Sequence, residues 1–309
     1  MTLILCEVYQ GEKANRRYLV NRGLRIYPLY WMCLLLAVIV LYFVKDAAHV
    51  NIGGDAPGSK GLRYPSGLWD WVKNVTFFGP EGSRYTVTQA WSLRVEMIFY
   101  VLMIFLCRRF WIVILWVIGS IAILVYHEIS GAPFSLRYSS AQGASLAFAL
   151  GSLVYYLRQR FTLNLLLRWT IAAVFLLNFV FAYKIWGFSQ TNVTFYGFLK
   201  KDDYGLYPYM VLSALMLWVV LDSEPWIEGH KWLKSVGHYL GKIAYAIFLC
   251  HWIAAYIVIY FGIPYTDRPA FIVVSFLVVH LMSVALHYFV ERPIDLKVRN
   301  KIRGSSAKS

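Results

Sequence analysis

Glu96 stands in Trp91-Ser-Leu-Arg-Val-Glu96, about one turn into an apolar run that continues to Leu106. On a helix, Ser92, Glu96 and Tyr100 share a face and Arg94 points elsewhere. A carboxylate inside a membrane span is costly unless it is paired or faces a polar cavity. Glu96 is therefore a candidate for chemistry, and an interfacial carboxylate satisfied by water is the plain alternative. His251 lies in Leu249-Cys250-His251-Trp252, within another apolar run. Neutral imidazole is inexpensive to bury and acts as a general base near neutral pH. A lone histidine among apolar residues equally fits a hydrogen bond between helices. Arg22 and Arg25 are three apart, just before Pro28. That spacing puts both on one helix face, where two forked donors suit phosphate groups. With Arg16 and Arg17 the same pair also reads as a basic cluster that sets membrane orientation.

Other polar residues read as structural. His280 and His287, two turns apart in the last apolar run, are expected to pack. Glu291 and Arg292 are expected to pair with neighbouring loops, and Pro293 to end the helix.

The elements that position these residues are apolar helices. The chain is 59% hydrophobic and 15% charged, with a mean hydropathy of +0.54. A soluble domain carries more charge and shorter apolar runs. About eight spans are expected: Ile26–Val44, Trp91–Leu106, Phe110–Tyr126, Ser140–Leu157, Leu163–Tyr183, Tyr204–Leu221, His238–Phe261 and Ala270–Val290. The fold class is thus an all-α transmembrane bundle, read as one membrane domain over residues 1–309.

Lys and Arg fix the expected orientation. They precede the first span, follow the second (Arg108, Arg109) and fourth (Arg158, Arg160), and lie between the sixth and seventh (Lys231, Lys234). More fill the basic tail at 292–309. Alternating spans put all of these on one side, so both termini are expected in the cytoplasm. The segment 45–90 is then an outer loop, with Trp69, Trp71, Phe77, Phe78 and Tyr85 as interfacial anchors or as platforms for sugar rings.

The net charge of +14 follows from this positive-inside pattern, so no nucleic-acid partner is expected. Cys6, Cys33, Cys107 and Cys250 show no metal-ligand spacing and no disulfide pattern. The sequence has no Gly-rich phosphate loop and no nucleophile elbow, which disfavours ATP-driven transport and serine hydrolysis.

Four stretches, in this order, resemble acyltransferase family 3, membrane enzymes that O-acylate surface and secreted carbohydrates. They are Asn21-Arg-Gly-Leu-Arg-Ile-Tyr-Pro-Leu-Tyr-Trp31, Trp91-Ser-Leu-Arg-Val-Glu96 with Phe99-Tyr100, Leu240-Gly-Lys-Ile-Ala-Tyr245 through His251, and Glu291-Arg-Pro293. The resemblance implies a multi-pass protein of the inner (plasma) membrane that acetylates polysaccharide. Acyl-CoA, normally acetyl-CoA, would be the donor, a carbohydrate hydroxyl the acceptor and lipid the surroundings, with no permanently bound cofactor. It places Arg22 and Arg25 at the donor, Trp91 and Ser92 on the acceptor side, and Glu96 as orienting or acceptor-binding group, with His251 the best base present. It also implies about ten helices, the first bearing the family's catalytic His. Met1–Cys6 resembles the end of a helix, so the expectation is a member short of that helix, with little or no turnover by itself. The alternatives are a transporter or flippase for a glycan or lipid-linked glycan, and a non-catalytic scaffold.

Overall fold

The computed structural model describes residues 1–9, 13–44, 61–80, 83–181, 206–264, 268–299 and 302, and no strand occurs among them. Apolar helices overlap all eight expected ranges. Helix α1 spans Ala14–Val44, α2 Leu68–Thr76, α3 Ala90–Leu106, α4 Phe110–Ile129, α5 Phe134–Tyr138, α6 Ala141–Leu157, α7 Leu165–Phe181, α8 Leu206–Asp222, α9 Glu224–Gly229, α10 Lys231–Tyr260 and α11 Arg268–Leu286. Four are long and apolar enough to cross a membrane: α1, α4, α10, and the helical path from Arg268 to Val298 that begins with α11. Helices α3, α6, α7 and α8 have 17 residues each. At 1.5 Å per residue that is about 25 Å, short of a hydrocarbon core of about 30 Å.

Two helices start earlier than expected. Helix α1 begins at Ala14, so Arg16, Arg17, Arg22 and Arg25 ride on it rather than preceding it, and it runs through Pro28 without ending. Helix α10 begins at Lys231. Hydropathy marks where a helix enters lipid, while the hydrogen-bonded backbone continues into the polar flank.

Pro293 does not end its helix, contrary to expectation. After α11 the path widens into π-turns over His287–Glu291, takes one α-turn at Arg292–Ile294 and continues as π-turns over Asp295–Arg299. Proline lacks the N–H, and its ring collides with the carbonyl four residues back in a regular helix. A wider turn at that point admits the ring. His287 Nδ1 lies 2.9 Å from Glu291 Oε2 across the wide turn, and Arg292 sits over the Tyr288 ring. His280 meets the Tyr239 hydroxyl at 2.6 Å.

The chain divides into two compact units, the first Met1–Gln10 with Met97–Leu233 and the second Gly11–Glu96 with Lys234–Ser309. In the first, α4 packs on α6 through small polar residues. Trp116 Nε1 donates to Ser145 Oγ at 2.9 Å, and Ser120 Oγ is 2.8 Å from the same oxygen. Phe99 stacks on Phe148, and Val154, Leu163, Ile171, Trp218 and Val219 form an apolar cluster. All four cysteines are free thiols.

In the second unit, segment 61–89 folds back along α1. The Phe77 ring packs on Tyr27 and Tyr30, and side-chain donors take the segment's carbonyls. Tyr27 donates to Thr76 O, Trp31 to Val75 O, Tyr85 to Phe77 O, Thr88 to Gly61 O and Tyr256 to Leu62 O. Arg94 Nη1 reaches Gly79 O at 2.8 Å and Pro80 O at 2.7 Å. Irregular backbone away from water needs such partners. Phe77 and Tyr85, expected as anchors or sugar platforms, are buried, whereas Trp69 and Phe78 are exposed. Residues 45–60, the first part of the expected outer loop, and nearly all of the basic tail after Arg299 lie outside the described residues.

Candidate functional site

The site grows from the turn that leads into α3. Thr86 N–H donates to Asn74 Oδ1 at 2.7 Å, and Asn74 Nδ2 donates to the Asp70 carbonyl at 2.8 Å. Asp70 accepts Lys73 Nζ at 2.5 Å, Ser66 Oγ at 2.6 Å and Arg63 Nη2 at 3.1 Å. The Lys73 ammonium, then the Ser66 hydroxyl, hold the Asp70 carboxyl well below its ordinary range. Burial pushes the Tyr85 hydroxyl up, so it remains a protonated donor to Phe77 O. Helix α2 thus turns a polar face inward, with Lys73 only 7% exposed, and this network fixes residues 85–89.

Gln89, immediately before α3, is 6% exposed. Its Nε2 lies 2.9 Å from His251 Nε2 and 3.0 Å from His251 Nδ1. His251 Nδ1 is also 2.9 Å from the Phe248 carbonyl. A carbonyl only accepts, so Nδ1 carries the hydrogen and Nε2 is left as the acceptor. The Gln89 carbonyl takes both the N–H and the hydroxyl of Ser92, at 3.0 Å and 2.9 Å. The structure therefore joins Ser92 and His251 through Gln89, which motif reading passed over. The signal available was a lone amide beside the Trp-Ser-Leu motif, and nothing in its spacing pairs it with a residue 162 positions away.

The other expected residues occupy different places. Glu96, one turn beyond Ser92, is half-buried, as is Trp91. Arg94 points away from that face, into the carbonyls of Gly79 and Pro80. Arg22 and Arg25 share a face of α1 but not an environment. Arg22 is 5% exposed, with its guanidinium over the Tyr18 ring. Arg25 borders a shallow cleft whose other walls include Glu291 and Asp295.

Helical throughout its described residues, with four helices apt for a bilayer and a histidine in contact with a buried amide, the chain has the character of a membrane protein. The family model described as an acyltransferase domain matches residues 4–288. The chain belongs to acyltransferase family 3. No curated protein and no solved structure matches it.

Proposed function

We propose that this chain transfers an acetyl or other short acyl group from acyl-CoA to a hydroxyl of a cell-surface or secreted carbohydrate. The observation that carries the reading is the Gln89–His251 contact beside Ser92 in a chain of this family. His251 Nε2 takes the acceptor hydroxyl's proton, the oxygen attacks the thioester carbonyl, and the thiolate leaves. General-base help of this kind contributes about 10²–10⁴ in rate. Trp91 and Ser92 line the acceptor side, and Glu96 orients the acceptor. Arg25 binds the CoA phosphates, and Arg22 adds positive charge behind it while anchoring α1. In this reading the chain crosses the inner membrane eight times with both termini in the cytoplasm, which its Lys and Arg distribution supports.

The test uses membranes from cells expressing the full chain, supplied with radiolabelled acetyl-CoA and a polysaccharide fraction. Label should enter base-labile ester on carbohydrate, and His251→Ala should abolish it while leaving acyl-CoA binding intact. Movement of labelled glycan across the membrane without acyl-CoA, and with no ester formed, would replace the enzyme reading with a transporter.

A further inference from the structure

We infer that Cys6 and Cys107 form a peroxide-reactive thiol pair. Hydrogen peroxide oxidises Cys6, and Cys107 then closes a disulfide on it. Both residues lie in the first compact unit, and neither takes part in the proposed transfer.

Cys6 sits in the wide helical turn Ile4–Val8. Three side chains hold this stretch in place. Thr2 Oγ1 is 2.8 Å from Ser152 Oγ, Leu5 is buried, and Glu7 Oε1 lies 3.5 Å from Arg158 Nη2. Among them the Cys6 sulfur comes within 3.9 Å of the Cys107 carbonyl oxygen, and the two thiols bond to each other. Cys107 follows directly on α3. Its N–H and its thiol both reach the Met103 carbonyl, at 3.2 Å and 2.9 Å, and its own carbonyl accepts the Tyr156 hydroxyl at 2.8 Å. Two sulfurs from residues 101 positions apart are thus held in contact. One is fully buried on a fixed backbone, and the other is half-buried beside the exposed Glu7 and Val8.

That asymmetry sorts the roles. The bond from Cys107 brings the Cys6 thiol down to about 7, with the Arg108 charge adding to it against the cost of burial. Cys6 is then about half thiolate at neutral pH, and the thiolate is the nucleophile. The same bond, and burial, push the Cys107 thiol up, so it stays protonated until Cys6 has reacted. An accessible cysteine of low pKa beside a second thiol is the arrangement of a redox sensor. The steps balance. The Cys6 thiolate attacks one peroxide oxygen, the O–O bond breaks, and hydroxide leaves, so Cys6 becomes a sulfenic acid. Cys107 attacks that sulfur, the S–O bond breaks, and the Cys107 proton leaves with the hydroxyl as water. Two thiols are oxidised and one peroxide is reduced. The disulfide fastens the Ile4–Val8 turn to the connection between α3 and α4. On the cytoplasmic side proposed above, thiols rest reduced and such a bond is a transient response to oxidant.

The test is peptide mapping by mass spectrometry of the full chain in lipid nanodiscs, before and after hydrogen peroxide. Cys33 and Cys250, both buried, serve as internal references. Without oxidant, iodoacetamide at pH 7 should label Cys6 about tenfold faster than the other three cysteines. Peroxide should yield an intrachain Cys6–Cys107 disulfide that dithiothreitol reverses. In Cys107→Ser the same treatment should leave sulfenic acid on Cys6, trapped by dimedone. In Cys6→Ser, Cys107 should remain a thiol. The wild-type map decides the pairing by itself if either variant fails to fold. Cys6 labelled no faster than the references would overturn the inference. So would a peroxide product in which Cys6 is oxidised and Cys107 stays free, or one that joins Cys6 to a second chain.

Discussion

The Trp31 indole donates to the Val75 carbonyl at 3.0 Å, well before α1 ends at Val44. At 1.5 Å per residue, the end of α2 lies about 20 Å back along α1 from the point where the chain leaves it. Segment 61–89 therefore returns alongside a helix apt to cross the bilayer, instead of standing clear of it. Helix α2 turns Lys73 and Asn74 inward, and the outward side carries Leu68, Trp69 and Phe78, with Trp69 63% exposed. An apolar outer face over a polar inner one is the pattern of a surface covered by lipid.

That face of α2 should contact lipid. A fluorophore attached to Trp69→Cys, in a chain freed of its own four cysteines, should be quenched by nitroxides carried on lipid chains and spared by iodide in the water. Quenching by iodide alone would put α2 in the aqueous phase.

Asp70 makes stability depend on pH with a definite sign. Its carboxyl is held below its ordinary value of 3.8, first by Lys73 and then by Ser66. A group whose folded value is depressed contributes stability above its unfolded value, and loses it as pH falls through the folded value. Asp70→Asn should lower the melting temperature in detergent at pH 7, where it strands Lys73 in a buried place. The scale is about 3 kcal/mol, the low end for breaking a buried ion pair. The gap between wild type and variant should be full at pH 7 and shrink below about pH 4. A gap constant from pH 7 to pH 3 would show that the charge of Asp70 contributes nothing.

Two glycines of α6 should behave oppositely. A Cβ on Gly143 would sit 2.0 Å from the Arg137 carbonyl oxygen, and that backbone is held by the Arg137–Glu128 ion pair at 2.5 Å. Gly143→Ala should destabilise by about 3 kcal/mol, the upper end for over-packing. A Cβ on Gly151 would meet nothing within 4 Å, so Gly151→Ala should stabilise by up to about 1 kcal/mol. Denaturation in mixed micelles measures both, and equal effects would contradict the geometry around Gly143.

At the proposed donor site, Arg25→Ala should weaken acyl-CoA binding by about 1.5–3 kcal/mol, the scale of hydrogen bonds to charged groups. Lys should rescue it only in part, because it lacks the fork. Glu291 shares the cleft, so Glu291→Gln should tighten binding severalfold by removing a like charge beside the phosphates. Arg22, buried over Tyr18, should show its effect in stability before affinity. Calorimetry with acetyl-CoA checks all three, and unchanged affinity in Arg25→Ala would reduce the pair to an orientation signal.

What the amino-acid sequence determined by itself was the material of the fold. Long apolar runs in a bilayer have one economical way to satisfy their backbone, so helices appeared wherever the runs did, from α1 to α11. Family membership was legible too, because the Arg22–Trp31, Trp91–Glu96 and His251 stretches keep their order and intervals along the chain. Helix ends were less legible, since local geometry sets them. Pro293 was absorbed by a widened turn, and the basic flanks of α1 and α10 stayed helical. Which of two adjacent aromatics faces inward was decided by tertiary contact. Phe77 fits against Tyr27 and Tyr30 while Phe78 stays exposed, and the left-handed backbone at Phe77 that makes the turn (φ 65°) has no reliable mark in side-chain type. The pairing of Gln89 with His251 depends on how the segment before α3 lies against α10. Residues 162 positions apart meet only once helices have packed, because no local spacing rule reaches across that length of chain.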